Sequence, residues 1–329
     1  MYNFCTLFNK NYLSKGLALY YSLEAVCSDF HLFIFTFDVD TFNVLNSLNL
    51  TKATIISLNE FEDAELLSVK DSRSTAEYCW TATPSTIYYI IKKYHVESCT
   101  YIDADLFFYA SPKPIFDEMG EKSILITEHR YSPEYKKEEK KSGKYCVQFI
   151  TFKNDVYGLE ALTWWKYQCI LWCYNRIEDG KFGDQMYLND WTTRFRNVHV
   201  LEHSGGGLAG WNISRYNFYK NGKEFYGIDK QSSKKFDVIF YHFHNLRFYT
   251  NGKLELGPRY ISKEAIEFFY KPYMNKLDEM RKIVLEINPS IDPHGIDKRK
   301  YDWKTPLLFV KHNIEGRYHI YKTEDFWKL

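Results

Sequence analysis

Short apolar, β-favouring runs alternate along the chain with longer stretches whose apolar positions recur at helical spacing. Residues 2–8 read as a strand and residues 13–26 as a helix, with Leu13, Leu17, Tyr20, Tyr21 and Glu24 marking its period. Further strands are expected at 31–37, 53–58, 99–103, 123–127, 145–152 and 237–243. Helices are expected at 82–95, 156–176 and 262–287. Pro84 falls near the start of the 82–95 segment, where the first helical turn tolerates proline. Strands alternating with helices predict an α/β fold: a mixed, mostly parallel sheet flanked by helices. The last helix and a proline-containing tail predict a C-terminal helical extension, residues 261–329, packed on a domain of residues 1–260. No repeat, low-complexity segment or linker interrupts the chain.

Composition narrows the classes. With 43 Lys+Arg against 42 Asp+Glu, the net charge offers no basic face for nucleic acid. No run of ~18 apolar residues predicts a membrane span, and Met1-Tyr-Asn-Phe-Cys-Thr lacks the pattern of a secretory leader. A cytoplasmic protein is expected, with no transmembrane segment, free or peripheral to a membrane. Seven cysteines without a C-x-x-C fit reduced thiols and not a zinc site or disulfide framework. Aromatic residues make up 19% of the chain. Most are expected in the core, but flat rings also stack on sugars and bases.

The segment Tyr101-Ile-Asp-Ala-Asp-Leu-Phe-Phe carries the sharpest chemistry. Asp103 and Asp105 flank one small residue at the end of an apolar strand. Ligands of parallel sheets bind beyond the carboxyl ends of the strands. Two carboxylates there suit Mn²⁺ or Mg²⁺, hard cations that share oxygen ligands with substrate phosphates. Asp38-x-Asp40 repeats the pattern, and there a turn or helix cap is the simpler reading.

These residues resemble the Asp-x-Asp segment of GT-A glycosyltransferases, particularly those related to family 8, including glycogenin and bacterial lipopolysaccharide glycosyltransferases. Later segments resemble that family in the same order. They are Val147-Gln-Phe-Ile-Thr-Phe, Gly183-Asp-Gln, Gly210-Trp-Asn and Tyr241-His-Phe-His-Asn-Leu-Arg, the last similar to its late metal motif. The chain departs from the motif in having Asn245 for its glycine, and Arg247 is the nearest base to its absent lysine.

The resemblance implies a metal-dependent transferase using a nucleotide-sugar, UDP-sugar first, with retention at the anomeric carbon. It points to His242 as third metal ligand. His242 and His244 share one face of a strand, so either could serve. It implies that Asp184 and Gln185 lie near the sugar, and Gln148, a polar residue in an apolar strand, needs a partner that a sugar hydroxyl would supply. Cys5 and Thr6 would meet base and ribose, Tyr12 or Trp80 would stack on a ring, and Arg247 would face the diphosphate with Asp103. Glu128-His129-Arg130 is a looser candidate for acceptor contact. The acceptor is a glycan, a lipid-linked sugar or a protein. Three rivals remain. They are a catalytically inactive sugar-binding or scaffold relative, a nucleotidyltransferase, and a nicotinamide enzyme suggested only by Gly205-x-Gly-x-x-Gly210. Residues 134–144, rich in Lys and Glu, read as a solvated loop or helical turn, or as a flap.

Overall fold

A computed structural model describes residues 1–222, 224–298, 307, 311 and 314–326. The first eight strands are β1 (Tyr2–Phe8), β2 (Phe30–Thr36), β3 (Ala53–Ser57), β4 (Ser98–Ile102), β5 (Leu106–Phe108), β6 (Ile124–Glu128), β7 (Tyr145–Lys153) and β8 (Val198–Val200). All but β5 join one sheet in the order β3-β2-β1-β4-β7-β6-β8. β7 runs antiparallel to β4 and β6, and the other pairs in this sheet are parallel. The expected mixed, mostly parallel sheet is therefore present.

Side chains alternate across β1. Phe4 and Phe8 enter one core layer, and Cys5 and Leu7 enter the other. Burial on both faces explains why this strand reads as a continuous apolar run. The helix Leu13–Val26 covers the first face and packs against Lys271–Ile287. The helices Thr75–Tyr94 and Val156–Leu171 pack together on the second.

Several boundaries move. The helix expected at 82–95 begins at Thr75, because Ser74 and Glu77 form a capping box that satisfies its first N–H groups. Pro84 thus lies inside the helix, where it cannot donate to the Trp80 carbonyl. The helix expected at 156–176 stops at Leu171. Trp172 turns extended, and its indole N–H donates to Glu178 Oε1 at 3.2 Å. The C-terminal helix forms in three joined pieces, Lys263–Ala265, Ile266–Tyr270 and Lys271–Ile287, the middle one a π-helical stretch. Residues 133–142 form exposed helical turns anchored by buried Tyr135.

The later strands are β9 (Leu208–Ala209), β10 (Tyr216–Asn221), β11 (Glu224–Asp229), β12 (Lys235–Asp237), β13 (Phe240–His242), β14 (Arg247–Tyr249), β15 (Lys253–Glu255) and β16 (Ile320–Lys322). The single strand expected at 237–243 is split between β12 and β13. They form three small sheets, β10-β11-β12, β5-β13-β9 and β14-β15-β16. The tail is tied to the site-bearing end. The Pro293 carbonyl accepts from the Ser14 N–H at 3.0 Å and from its hydroxyl at 2.8 Å. Asp297 bridges Tyr249, and β16 pairs with β15. No described helix is long and apolar enough to cross a membrane.

Candidate active site

The chain leaves β4 at Ile102 and turns through Asp103-Ala104-Asp105 into β5. The Asp103 N–H donates to the Gln148 carbonyl at 3.0 Å, and the Leu106 N–H to the Asp103 carbonyl at 3.2 Å. β5 then pairs antiparallel with β13, His242 opposite Leu106, and the Phe243 N–H donates to the Asp105 carbonyl at 3.0 Å. This register delivers the imidazole to the acidic turn. His242 Nε2 lies 2.9 Å from Asp105 Oδ1 and 3.6 Å from Asp103 Oδ2. One ligand atom from each residue falls within 4.8 Å of the others. Two carboxylate oxygens and one imidazole nitrogen, converging and largely buried, fit Mn²⁺ or Mg²⁺ completed by substrate oxygens.

Without a cation, the three groups compensate one another's charge. Burial would depress His242, but the Asp105 carboxylate outweighs it and pushes His242 up to about 10. Burial would raise Asp105, but His242 with Lys15 and His244 holds it below the carboxylate range. Burial and the neighbouring Asp105 push Asp103 up, against His242 and the Tyr101 hydroxyl, which donates to its Oδ1 at 3.0 Å. His244 also faces the site but stands outside the triad. It is solvent-exposed, unlike the buried His242.

The triad opens into a cavity of about 700 Å³, a size suited to a nucleotide or sugar ligand. Asp103, Asp105, Gln148, Asp184, Gln185, His242 and Arg247 line it, as do Tyr12 and Trp80. Burial first, then the Asp103 charge, pushes Asp184 up to about 8. Gln185 Nε2 donates to the Ser142 carbonyl at 2.6 Å. Arg247 is exposed, with Nη2 donating to Asn245 Oδ1 at 3.3 Å.

Some expected residues lie elsewhere. Cys5 and Thr6 are fully buried and do not line the cavity. β1 runs on to Phe8, so Leu7, Phe8, Asn9 and Asn11 reach the mouth instead. Asp38 caps the helix Val39–Ser47 through the Thr41 N–H at 2.7 Å, and Asp40 pairs with Lys10. The Gly205–Gly210 stretch is a packed turn away from the cavity wall. The Gly205 carbonyl accepts from the Ile239 and Phe240 N–H groups, and Arg130 donates to the His203 and Gly206 carbonyls. Of the looser trio, His129 lines the cavity, while Glu128 pairs with Lys144.

One further wall residue has no local signal in the sequence, and it meets the tryptophan of Gly210-Trp-Asn. Arg259 follows β15, pairs with Glu138 and lies over the Trp211 ring. Trp211 itself stands perpendicular to the His242 imidazole, with centroids 5.3 Å apart.

No family model matches the chain. Two proteins of Bacillus subtilis (strain 168), both uncharacterized, are clear relatives. YfnD is 32% identical over 282 residues, covering 84% of this chain and 88% of YfnD. YfnF is 34% identical over 297 residues, covering 88% and 96%. Among solved structures, the galactosyltransferase LgtC, in complex with donor and acceptor sugar analogues, aligns with a TM-score of 0.52 at 10% identity, over 84% of this chain and 95% of LgtC. The apo glycosyltransferase GlyE of Streptococcus pneumoniae TIGR4 aligns at 0.50 and 11%, over 87% of this chain and 62% of GlyE. Identity that low speaks to fold alone. The chain belongs to the family of YfnD and YfnF, and its fold is that of the GT-A glycosyltransferases.

Proposed function

We propose that this protein is a glycosyltransferase. It moves a sugar from a nucleotide diphosphate, UDP in the first instance, to a hydroxyl on a glycan, a lipid-linked sugar or a protein in the cytoplasm. The observation that carries this reading is the convergence of Asp103, Asp105 and His242 in one cavity at the end of β4. The fold is shared with LgtC, solved with sugar analogues in place.

Asp103, Asp105 and His242 would hold Mn²⁺ or Mg²⁺. When bound, the cation would neutralise charge on the departing diphosphate. Arg247 brings a second positive charge to the same wall. Tyr12 and Trp80 offer ring faces for the base or sugar. Asp184, its carboxyl pushed up by burial, both donates to and accepts from sugar hydroxyls when protonated. Gln185 spends its Nε2 on Ser142, so its Oε1 is the group turned to the sugar. The wall of His129, Trp211 and Arg259 receives the acceptor. Retention at the anomeric carbon completes the proposal and rests on the motif resemblance.

Calorimetric titration with UDP, with and without Mn²⁺, tests it on the wild type and Asp105→Ala. The expected result is Mn²⁺-dependent binding that the substitution removes, followed by release of UDP from at least one UDP-sugar. Absence of binding by UDP, GDP and CMP under every condition would sink it.

A further inference from the structure

Gln148 sits in the middle of β7 between Val147 and Phe149 and is fully buried. A carboxamide in such a strand is a cost unless its polar atoms are used. Gln148 uses its oxygens on two metal-ligand residues at once. Its main-chain carbonyl accepts from the Asp103 N–H at 3.0 Å. Its side-chain Oε1 lies 2.7 Å from His242 Nδ1.

We propose that Gln148 is a positioning residue of the metal site, whose carboxamide fixes the tautomer and tilt of His242 and so sets the affinity for the divalent cation. The proposal rests on reading Asp103, Asp105 and His242 as metal ligands.

A neutral imidazole carries one N–H. When His242 gives up its second proton to a cation, with Nδ1–H donating to Gln148 Oε1, the lone pair is on Nε2, the nitrogen that faces Asp105 and Asp103. The other tautomer would place a hydrogen between those carboxylates, where the cation must sit. The choice follows from the orientation of the amide. Turned the other way, Gln148 would offer N–H to Nδ1 and select the wrong tautomer. In the observed orientation, Gln148 Nε2 has no partner. It lies against Gly207, where an added Cβ would fall 3.0 Å from it. A glutamine serving packing alone gains nothing from that unpaired donor. One serving His242 requires the oxygen to point where it does. Trp211, edge to face with the imidazole, limits its remaining freedom to rotate.

The test uses Mn²⁺ alone, without nucleotide, on the full chain. Calorimetry compares wild type with Gln148→Met, which keeps the length and loses the acceptor, and with Gln148→Glu, which keeps the acceptor. Long-range ¹⁵N–¹H spectra of His242, recorded without a cation at a pH where the ring is neutral, report the tautomer. The expected result is a loss of about 10- to 100-fold in Mn²⁺ affinity for Gln148→Met, the size typical of lost outer-shell partners. Gln148→Glu should bind at least as tightly as wild type and keep Nδ1–H, while Gln148→Met shows mixed tautomers. Wild-type affinity in Gln148→Met overturns the proposal, as does a tautomer that follows neither substitution. If Gln148→Met does not fold, Gln148→Glu decides: retained affinity with Nδ1–H supports the proposal, and lost affinity overturns it. A wild type that binds neither Mn²⁺ nor Mg²⁺ overturns the triad itself, which is a separate result from a triad that binds without help from Gln148.

Discussion

His242 Nε2 and Asp105 Oδ1 stand 2.9 Å apart although 137 positions separate them in the chain, because β13, which ends at His242, returns antiparallel to β5, which begins one residue after Asp105. His244, two residues on, lines the same cavity but lies outside the triad. The two histidines therefore separate by substitution. His242→Ala is expected to weaken Mn²⁺ binding by more than about 100-fold, beyond the range of outer-shell losses. His244→Ala should leave it near wild type. Calorimetry with Mn²⁺ on both variants is the check, and loss in the His244 variant alone would reverse the assignment.

Asp184 gives stability a pH slope. Its folded-state value of about 8 exceeds its ordinary 3.8. Between those values the folded chain keeps a proton that the unfolded chain has released. The contribution is fully present below pH ~4, fades as pH rises, and is gone above pH ~8, at up to ~1.4 kcal/mol per unit. Asp184→Asn should flatten this slope. Urea unfolding of both proteins in chelator at pH 5.5 and 8.5 is the measurement, with the variant gaining relative to wild type at the higher pH. An unchanged difference between the two pH values would contradict it.

Trp80 lies on the cavity wall beside Phe182, with centroids 6.1 Å apart, and is not part of the triad. Trp80→Ala should cost about 1–3 kcal/mol of nucleotide or nucleotide-sugar binding, the worth of one stacked ring. Mn²⁺ binding should be unaltered, and Trp80→Phe should recover part of the loss. Equal loss in the Ala and Phe variants would mean the ring does not stack.

Gly205 has no room for a side chain. An added Cβ would sit 1.8 Å from the Asp237 carbonyl oxygen, a main-chain atom that cannot swing away. Gly205→Ala is expected to destabilise the fold by about 3 kcal/mol or more, in the range for overpacking a tight site. The melting temperature reports it. A shift of under about 2 °C would show that the β12–β13 connection yields easily.

How much of this was legible follows from the reach of each signal. Asp103 and Asp105 could be found because an apolar strand, an acid, a small residue and a second acid are all local. Asp184 and Gln185 also sit together in the chain. Cys5 and Thr6 were misplaced because residues 2–8 identify a strand without saying which of them clears the sheet. That depends on β2 and β4 on either side, and the mouth begins only at Leu7. Arg259 enters the wall through a return of the chain that leaves no periodic or motif trace, whereas Trp211 belongs to the Gly210-Trp-Asn segment and only its perpendicular stance on His242 was hidden. The helix expected at 82–95 begins at Thr75 because its start is set by the Ser74–Glu77 capping box, a signal present in the sequence, and not by Pro84.

The order of synthesis adds one consequence. A growing chain has made Asp103, Asp105 and His242 well before Ile320–Lys322, the strand that closes the sheet behind β14 and Arg247. The acidic turn and its histidine can thus be assembled while the arginine-bearing hairpin still presents an open edge. Pairing of Ile320–Lys322 with β15, and not the meeting of Asp103, Asp105 and His242, is what covers that edge.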